Sequence, residues 1–534
     1  MPITTQQIIS SLVEPGEWVG STITFSIPGL GSTWAGYPAG DEQDNADYGV
    51  LNAAQAVAFR TAIAAWDRLI APGFSETNDQ QTPGQIRVAF TDVDDFAEGA
   101  VAYAYGAPTF GLGPTWAGDI WLDESTKPSA FTPTTDDFHT LIHELGHALG
   151  LKHPFEGETT LPAEYDNQRY TIMSYDDAGD AYLKTVSATA GGIEWRGALV
   201  MPSTPMLFDI VAIQSKYGAD LTAGAGDSTY SWSQASAIFE TVYDTGGIDT
   251  FDLSAHSRAS IVDLTPGAFS SIAYWSGQAQ AAYWIGIYGA GYASFLNQAF
   301  AEANTYTWSR NVATAYGTVI ENVIAGSGSD TVTGNAAANA IYGRLGNDSI
   351  AGGDGEDFLR GDEGNDSITG GAAFDDIHGN MGDDVAWGGD GDDWVVGGKD
   401  NDRLFGEAGG DIVYGNLGAD TLEGGEGADI VRGGQGNDTL AGGAGDDWMA
   451  GDRGDDTLSG GAGADIFHSH ADAGIDRILD FNRAEGDRVN LLPGTTYSVA
   501  QSGADVVVSM GVAGQVVLVG VQLSSLTGDW LFGA

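Results

Sequence analysis

The stretch HELGHALGLKHP, from His143 to Pro154, holds three of the chain's eight histidines. On a helix, His143 and His147 lie four residues apart and share one face, so both imidazoles can reach one ion. Glu144 stands beside them, where its carboxylate can meet a water on the ion rather than the ion itself. Gly150 can end the helix with a left-handed turn, which lets His153 come back as a third ligand, and Pro154 prevents the helix from continuing. Three histidines leave a fourth position open, the mark of a catalytic rather than a structural zinc site. H-E-x-x-H alone arises by chance; with G-x-x-H at this offset it is specific. His139, one turn before His143, reads as a supporting or structural group. His256, His378, His468 and His470 have no ligand spacing and read as ordinary.

Something must hold that helix. STITFSI (21–27), QIRVAF (85–90), AVAYAYG (100–106) and GDIWLD (118–123) read as short strands. LNAAQAVAFRTAIAAWDRLI (51–70) reads as an amphipathic helix, with Val57, Ile63, Trp66 and Ile70 on its apolar face. The histidine motif sits on a second helix, for which Thr134 and Asp137 have capping-box spacing. PMLFDIVAIQSKYG (205–218) reads as a third, with Pro near its start and Gly218 just past its end. These elements predict an α+β domain over 18–220, preceded by a short leader or pro-segment at 1–17.

From 325 to 468 the chain repeats every nine residues, as in GGDGEDFLR and GGQGNDTLA. The pattern is G-G-x-G-x-D-x-U-x, the signature of a calcium-binding parallel β-helix. Aspartate fills its sixth place at Asp330, Asp348, Asp357, Asp366, Asp375, Asp384, Asp393, Asp402, Asp411, Asp420, Asp429, Asp438, Asp447, Asp456 and Asp465, with Asn339 in the same phase. The eighth place is apolar, smallest at Ala386. Two repeats make one coil, so Asp348 stacks near Asp366, and Asp357 near Asp375. Stacked carboxylates repel unless cations lie between them. Ca²⁺, oxygen-seeking and tolerant in geometry, is the natural partner. Residues 321–470 hold 31 acids and 6 Lys plus Arg. Without cations such a segment has too few apolar groups to offset chain entropy. Ala373 and Asp400 replace the fourth-place glycine and mark the weakest loops.

The whole chain has 534 residues and a formal charge of -54. That balance argues against nucleic acid and anionic membranes as partners. No cysteine is present, so no disulfide can form. The first twenty residues have no Lys or Arg and no long apolar run, unlike a Sec signal peptide. No apolar run is long enough for a transmembrane helix.

HELGHALGLKH matches the metzincin pattern H-E-x-x-H-x-x-G-x-x-H. YTIMSY (170–175) looks like the Met-turn, with Met173 beneath the metal and Tyr175 where serralysins place a tyrosine near or on it. With the nonapeptides downstream, the chain resembles a serralysin over most of 18–534. The resemblance extends to NAAQAVAFRTAIAAW, GTVIENVIAGSGSD and RILDFNRAEGDRVNLL. It implies a metzincin zinc protease domain (18–220), then a β-rich start of the C-terminal domain (221–324). An all-β parallel β-roll, the RTX solenoid, follows (325–468), and then a β cap with a secretion signal (469–534). His143, His147, His153 and Tyr175 would bind Zn²⁺, and the aspartates above Ca²⁺. Glu144 would be the base for a zinc-activated water, and Tyr175 would assist as a donor to the oxyanion. The substrate would be a protein or peptide, lying extended along AVAYAYG. The partner for export would be the type I secretion machinery, reading a terminus where Asp529 precedes Trp530, Leu531 and Phe532. The product would be a secreted monomer, free or at the cell surface. Relative to the family, the roll is long and 271–310 is an expansion.

Two other classes remain to be weighed. One is a calcium-dependent adhesion protein with a vestigial protease domain, against which the complete His143, Glu144, His147, His153, Met173 and Tyr175 set counts. The other is an RTX lipase, against which the lack of a G-x-S-x-G elbow counts. The expansion is rich in aromatics and has a single charged residue, Glu302, in 274–308. Alternation in YWIGIYGAGY predicts strands of an apolar layer there, with Tyr283 or Tyr288 as outward rings able to dock a protein.

Overall fold

A computed structural model describes residues 3–34, 37, 48–93, 100–109, 114–511 and 513–533. The chain forms two compact units. One takes Met1–Asp227, Gln234–Gly247 and Pro266–Thr318; the other takes Ser228–Ser233, Ile248–Thr265 and Val319–Ala534. The first unit therefore runs past residue 220, and the expected 221–324 segment is shared between the two units. Only long-range packing decides that, and no local signal in the sequence carries it.

In the first unit, α1 (Thr5–Leu12) is followed by β1 (Thr22–Ser26), α2 (Ala53–Asp67), β2 (Gly73–Glu76), β3 (Ile86–Thr91), β4 (Ala102–Ala104) and β5 (Asp119–Asp123). Then come α3 (Asp136–Ala148), the hairpin β6 (Tyr182–Thr189) and β7 (Gly192–Leu199), and α4 (Leu207–Tyr217). The sheet order is β2-β1-β3-β5-β4, parallel except for β4, which runs antiparallel at the edge. Ile86, Val88 and Phe90 of β3, with Ile120 and Leu122 of β5, face the helices and are fully buried.

Asn52 caps α2 through its side-chain oxygen, which accepts from the Ala54 and Gln55 N–H groups. The buried face of α2 is Phe59, Ala62, Ile63 and Trp66. Val57, expected on that face, is 61% exposed. Helix α3 starts at Thr135 rather than Thr134 and has no side-chain cap. Thr134 instead takes a positive φ of 69°, while Asp136 and Asp137 complement the helix dipole in the first turn. The N-terminal segment, expected as a patternless leader, forms α1 under a Thr4–Gln7 capping box, with Ile8 and Leu12 buried.

The aromatic segment is helical, which corrects the strand reading. Helix α5 (Gly277–Tyr288) starts at Ser276, whose hydroxyl oxygen accepts from the Ala279 N–H, and ends at Gly289 with φ 97°. Helix α6 (Ala293–Phe300) follows. Leu296, Ala299 and Phe300 of α6 pack with Ala281 of α5 and Val186 of β6. The segment is apolar on all sides, so period two and period 3.6 fit it equally well, and the Ser276 and Gly289 boundaries decide. Tyr283 is 52% exposed; Tyr288 is partly buried and donates to the Val186 carbonyl.

The second unit is a parallel β-roll with two sheets of 13 strands, one closing on the antiparallel strands Tyr497–Ser502, Asp505–Met510 and Gly514–Leu518. Strands pair 18 residues apart, Ser349 with Ser367 and Phe358 with Asp376. The apolar eighth place points inward throughout, from Ile350 to Phe467, and Ala386 is as buried as the rest. The stack begins before the repeats, with Thr229–Tyr230, Thr250–Asp252 and Ile261–Asp263. Ala373 and Asp400 hold their loops at φ 75° and 74°, so the turn persists there without glycine.

The two outer faces differ. On one sheet the seventh place stacks Trp394, Ile412, Ile430, Trp448 and Ile466 in a continuous apolar column. On the other the same place stacks Arg403, Thr421, Thr439 and Thr457.

Candidate metal centres

Helix α3 carries His143, Glu144 and His147 and ends in a turn that returns the chain. The Leu151 N–H donates to the Gly146 carbonyl at 2.9 Å and the Gly150 N–H to the His147 carbonyl at 2.8 Å. Gly150 has φ 89°. This is a Schellman closure, and it brings His153 beneath the helix face. The N-terminal segment steadies the same loop: Glu14 N–H donates to the Gly150 carbonyl and Lys152 N–H to the Leu12 carbonyl.

The His153 Nε2 lies 3.2 Å from His143 Nε2 and 3.0 Å from His147 Nε2. Three ligands about 2.0–2.1 Å from one tetrahedral centre would stand roughly 3.3–3.4 Å apart. Each Nδ1 is engaged on the far side: that of His143 with the Ile172 carbonyl (2.7 Å), that of His147 with the Leu151 carbonyl (2.9 Å) and that of His153 with Glu156 Oε1 (2.8 Å). Acceptors at Nδ1 fix the tautomer that leaves Nε2 lone pairs converging. Burial pushes the His143 pKa well below its usual value and that of His147 to about 4, so both are neutral and ready to ligate. The donor set fits Zn²⁺.

Glu144 is buried, and its Oε2 has no hydrogen-bond partner among the described residues. Burial raises its carboxyl to about 8. It lines a cleft of about 450 Å³ together with His143, Tyr175, Met201 and the residues 100–102 next to and within β4. Tyr175 is 66% exposed and its ring lies 4.5 Å from that of His153. Met173 is fully buried, with its Sδ against Gly146, where any Cβ would collide with it. His139 is buried outside the ligand set, next to Gln168 (3.4 Å), as expected of a supporting group.

Asp209 was not foreseen. It is fully buried in α4, and burial raises its carboxyl to about 7. Its Oδ1 accepts from the Thr171 hydroxyl (2.6 Å) and its Oδ2 from the Ile172 and Met206 N–H groups (2.8 Å each). The residue whose N–H it holds, Ile172, offers its carbonyl to His143 Nδ1. A lone acid inside MLFDIVAI was the available signal.

In the second unit, the aspartates form two columns. Each main-chain N–H donates to the Oδ1 eighteen residues on: Asp348 to Asp366 at 2.8 Å, Asp411 to Asp429 at 2.8 Å, Asp447 to Asp465 at 3.1 Å. From Asp348 through Asp465 every Oδ2 is buried without a partner among the described residues. Each lies where a Cβ on the first-place glycine of its repeat would fall, as at Gly352 for Asp357 and Gly397 for Asp402. Buried, unmatched carboxylate oxygens at a fixed spacing fit a hard cation such as Ca²⁺. Asp330 differs: its Oδ1 accepts from the Ser260 N–H and its Oδ2 from the Gly326 N–H at 3.0 Å. Asp487, outside the repeats, extends one column: its Oδ1 accepts from the Asp465 N–H and its Oδ2 from the Asn482 N–H. The histidines read as ordinary are local: His256 contacts the Trp232 carbonyl and His378 pairs with Asp376.

The family described as Matrixin matches residues 43–181, the serralysin C-terminal family of peptidase M10 matches 209–291, and the RTX calcium-binding nonapeptide repeat matches windows between 318 and 478. Metallopeptidase AprA of Pseudomonas marginalis is 31% identical over 314 residues, covering 54% of this chain and 56% of its own. A serralysin of Photorhabdus laumondii is 30% identical, covering 55% and 56%; one of Proteus mirabilis is 27% identical, covering 53% and 54%. The chain thus spans about half the length of the curated relatives it matches. A matrixin domain implies zinc, and RTX repeats imply calcium. A matrixin segment, a serralysin C-terminal segment and RTX calcium-binding repeats thus follow one another along this single polypeptide, the order in which the chain resembles serralysin-type metzincins.

Proposed function

We propose that the protein is a secreted zinc-dependent endopeptidase whose roll folds with calcium. The observation that carries this reading is the convergence of three Nε2 atoms, each with its Nδ1 engaged, beside a cleft that His143 and Glu144 line, with Glu144 Oε2 unpartnered among the described residues. Zn²⁺ held by His143, His147 and His153 would polarise the scissile carbonyl and acidify a water. A cation held by the three imidazoles would favour the carboxylate form of Glu144, which then takes the proton of the attacking water and returns it to the leaving amine nitrogen. Strand β4 lies at the sheet edge, so an extended substrate can pair along it as an added strand. Tyr175, exposed at the rim of the cleft, donates its hydroxyl hydrogen to the carbonyl oxygen as that atom gains charge.

Zinc stoichiometry and casein cleavage, each with and without chelator, test the reading. One zinc per chain and activity that is lost and restored with it are expected; metal-independent cleavage, or none with zinc bound, overturns it. Tyr175→Phe is expected to keep zinc and fold while lowering kcat about 10²–10³-fold. Steady-state kinetics decide this, and an unchanged kcat would leave Tyr175 a purely structural role.

Export fits the same picture. Among the described residues no helix is long and apolar enough to cross a membrane. A chain whose roll needs cations can pass the type I machinery unfolded where Ca²⁺ is scarce and fold outside, where millimolar Ca²⁺ saturates weak sites. Attachment to the cell surface or release as a monomer are both compatible with this route.

A further inference from the structure

The three imidazoles are not held alike. His143 and His147 sit on α3, and the acceptors at their Nδ1 atoms are main-chain carbonyls, those of Ile172 and Leu151. Both carbonyls belong to buried residues whose own N–H groups are tied down, that of Ile172 to Asp209 Oδ2 and that of Leu151 to the Gly146 carbonyl. His153 lies beyond the helix end. Its Nδ1 meets a side chain instead, Glu156 Oε1 at 2.8 Å, and that side chain is 48% exposed. A carboxylate only accepts, so Nδ1 carries the hydrogen and Nε2 keeps its lone pair for the ion. A charged acceptor also holds the ring more firmly than a neutral carbonyl and makes it a more basic ligand.

The loop that carries Glu156 closes on its own main chain. The Glu156 N–H donates to the His153 carbonyl at 3.2 Å and the Leu161 N–H to the Pro154 carbonyl at 2.9 Å. The Lys152 ammonium donates to the Glu156 carbonyl at 2.5 Å and to the Thr159 carbonyl at 3.4 Å. Phe155 lays its ring parallel to the His153 imidazole, within 3° and with centroids 5.1 Å apart, while the Tyr175 ring meets the same imidazole at 4.5 Å. Ring contacts of this kind fix the plane of an imidazole but leave it free to turn within that plane. The bond from Nδ1 to Glu156 sets that remaining angle, and so decides where Nε2 points. We propose that Glu156 is a positioning residue of the zinc site, which orients the one ligand that α3 does not hold and thereby sets how tightly the ion is retained. The inference rests on the zinc reading and adds the residue that governs retention. His153, gripped by a half-exposed side chain, is then the ligand that lets go first.

The test uses the full-length protein with calcium in excess. Zinc affinity is read by competition with a zinc-selective chromogenic chelator, beside the melting temperature of the zinc-free form. Glu156→Gln keeps the size and an acceptor oxygen and removes the charge. It is expected to weaken zinc binding about tenfold, the low end for such partners because the group is half exposed, and Glu156→Ala up to about a hundredfold. The melting temperature of the zinc-free protein should not move in either. Casein cleavage by both variants should fail at limiting zinc and return with excess zinc, as it does not for Glu144→Ala. Glu158→Gln removes the same charge from an exposed position on the same loop, and should leave the affinity as it is. Wild-type affinity in both Glu156 variants, or an equal loss in Glu158→Gln, overturns the assignment. A wild-type protein that takes up no zinc overturns the zinc reading instead.

Discussion

Glu144→Ala is expected to abolish proteolysis while zinc stays bound at one per chain. The metal is held by three imidazoles, and the glutamate is absent from the converging set. Its Oε2 is buried and unpartnered among the described residues, and the residue lines the cleft. Loss of a positioned general base typically costs 10²–10⁴-fold in rate. Removing an unmatched buried acid should not destabilise the fold, so the melting temperature should hold or rise. His153→Ala gives the complementary result, with zinc content falling first and activity following it. Metal analysis beside a casein assay reads both, and a zinc-loaded Glu144→Ala protein that still cuts at more than a trace would remove Glu144 from the mechanism.

Withdrawing calcium should melt the roll while the histidine-bearing unit keeps its fold. Burial raises the column carboxyls, Asp402 to about 8, Asp348 and Asp411 to about 7, Asp366 and Asp447 to about 6. The unfolded value is near 3.9. A group whose folded pKa is raised binds its proton more tightly when folded, so its contribution is complete below about pH 4 and disappears as pH rises through 6–8. The calcium-free roll should therefore survive near pH 4–5 and unfold by pH 8. With calcium the roll should be folded at both values, since ionised carboxylates bind the cation at pH 8 and protonated ones need none near pH 5. Circular dichroism of the full chain at pH 5 and 8, with and without chelator, reads all four states. The same β signal at pH 8 with and without Ca²⁺ would show that the columns hold without a cation.

The metal centres were legible because each rests on local spacing. Residues four apart on a helix must share a face, and Gly150 at C′ must turn the chain back toward His153. The nine-residue phase likewise fixed which aspartates stack. Packing was not legible. Thr134 has capping-box spacing, but the first turn is set by Asp136 and Asp137. Val57 fits the helical period of α2, yet the sheet takes Phe59, Ile63 and Trp66. The 274–308 segment is apolar on every side, so its period carries little information. Asp209 acts through a hydroxyl and amides brought near by the fold, and Asp330 finds backbone donors at Ser260 and Gly326 that no repeat announces.

The unlike faces of the roll give its length a parity. Successive nonapeptides alternate between the sheets, so strands 18 residues apart share a face and strands nine apart do not. Loss or gain of two repeats simply shortens or lengthens both columns by one rung. Loss or gain of a single repeat sends every later strand to the opposite sheet. The Trp394, Ile412 and Ile430 column would break at that point and resume on the threonine side, and Asp487 would meet the wrong column. Recombination within this gene can therefore change the number of nonapeptides freely only in pairs.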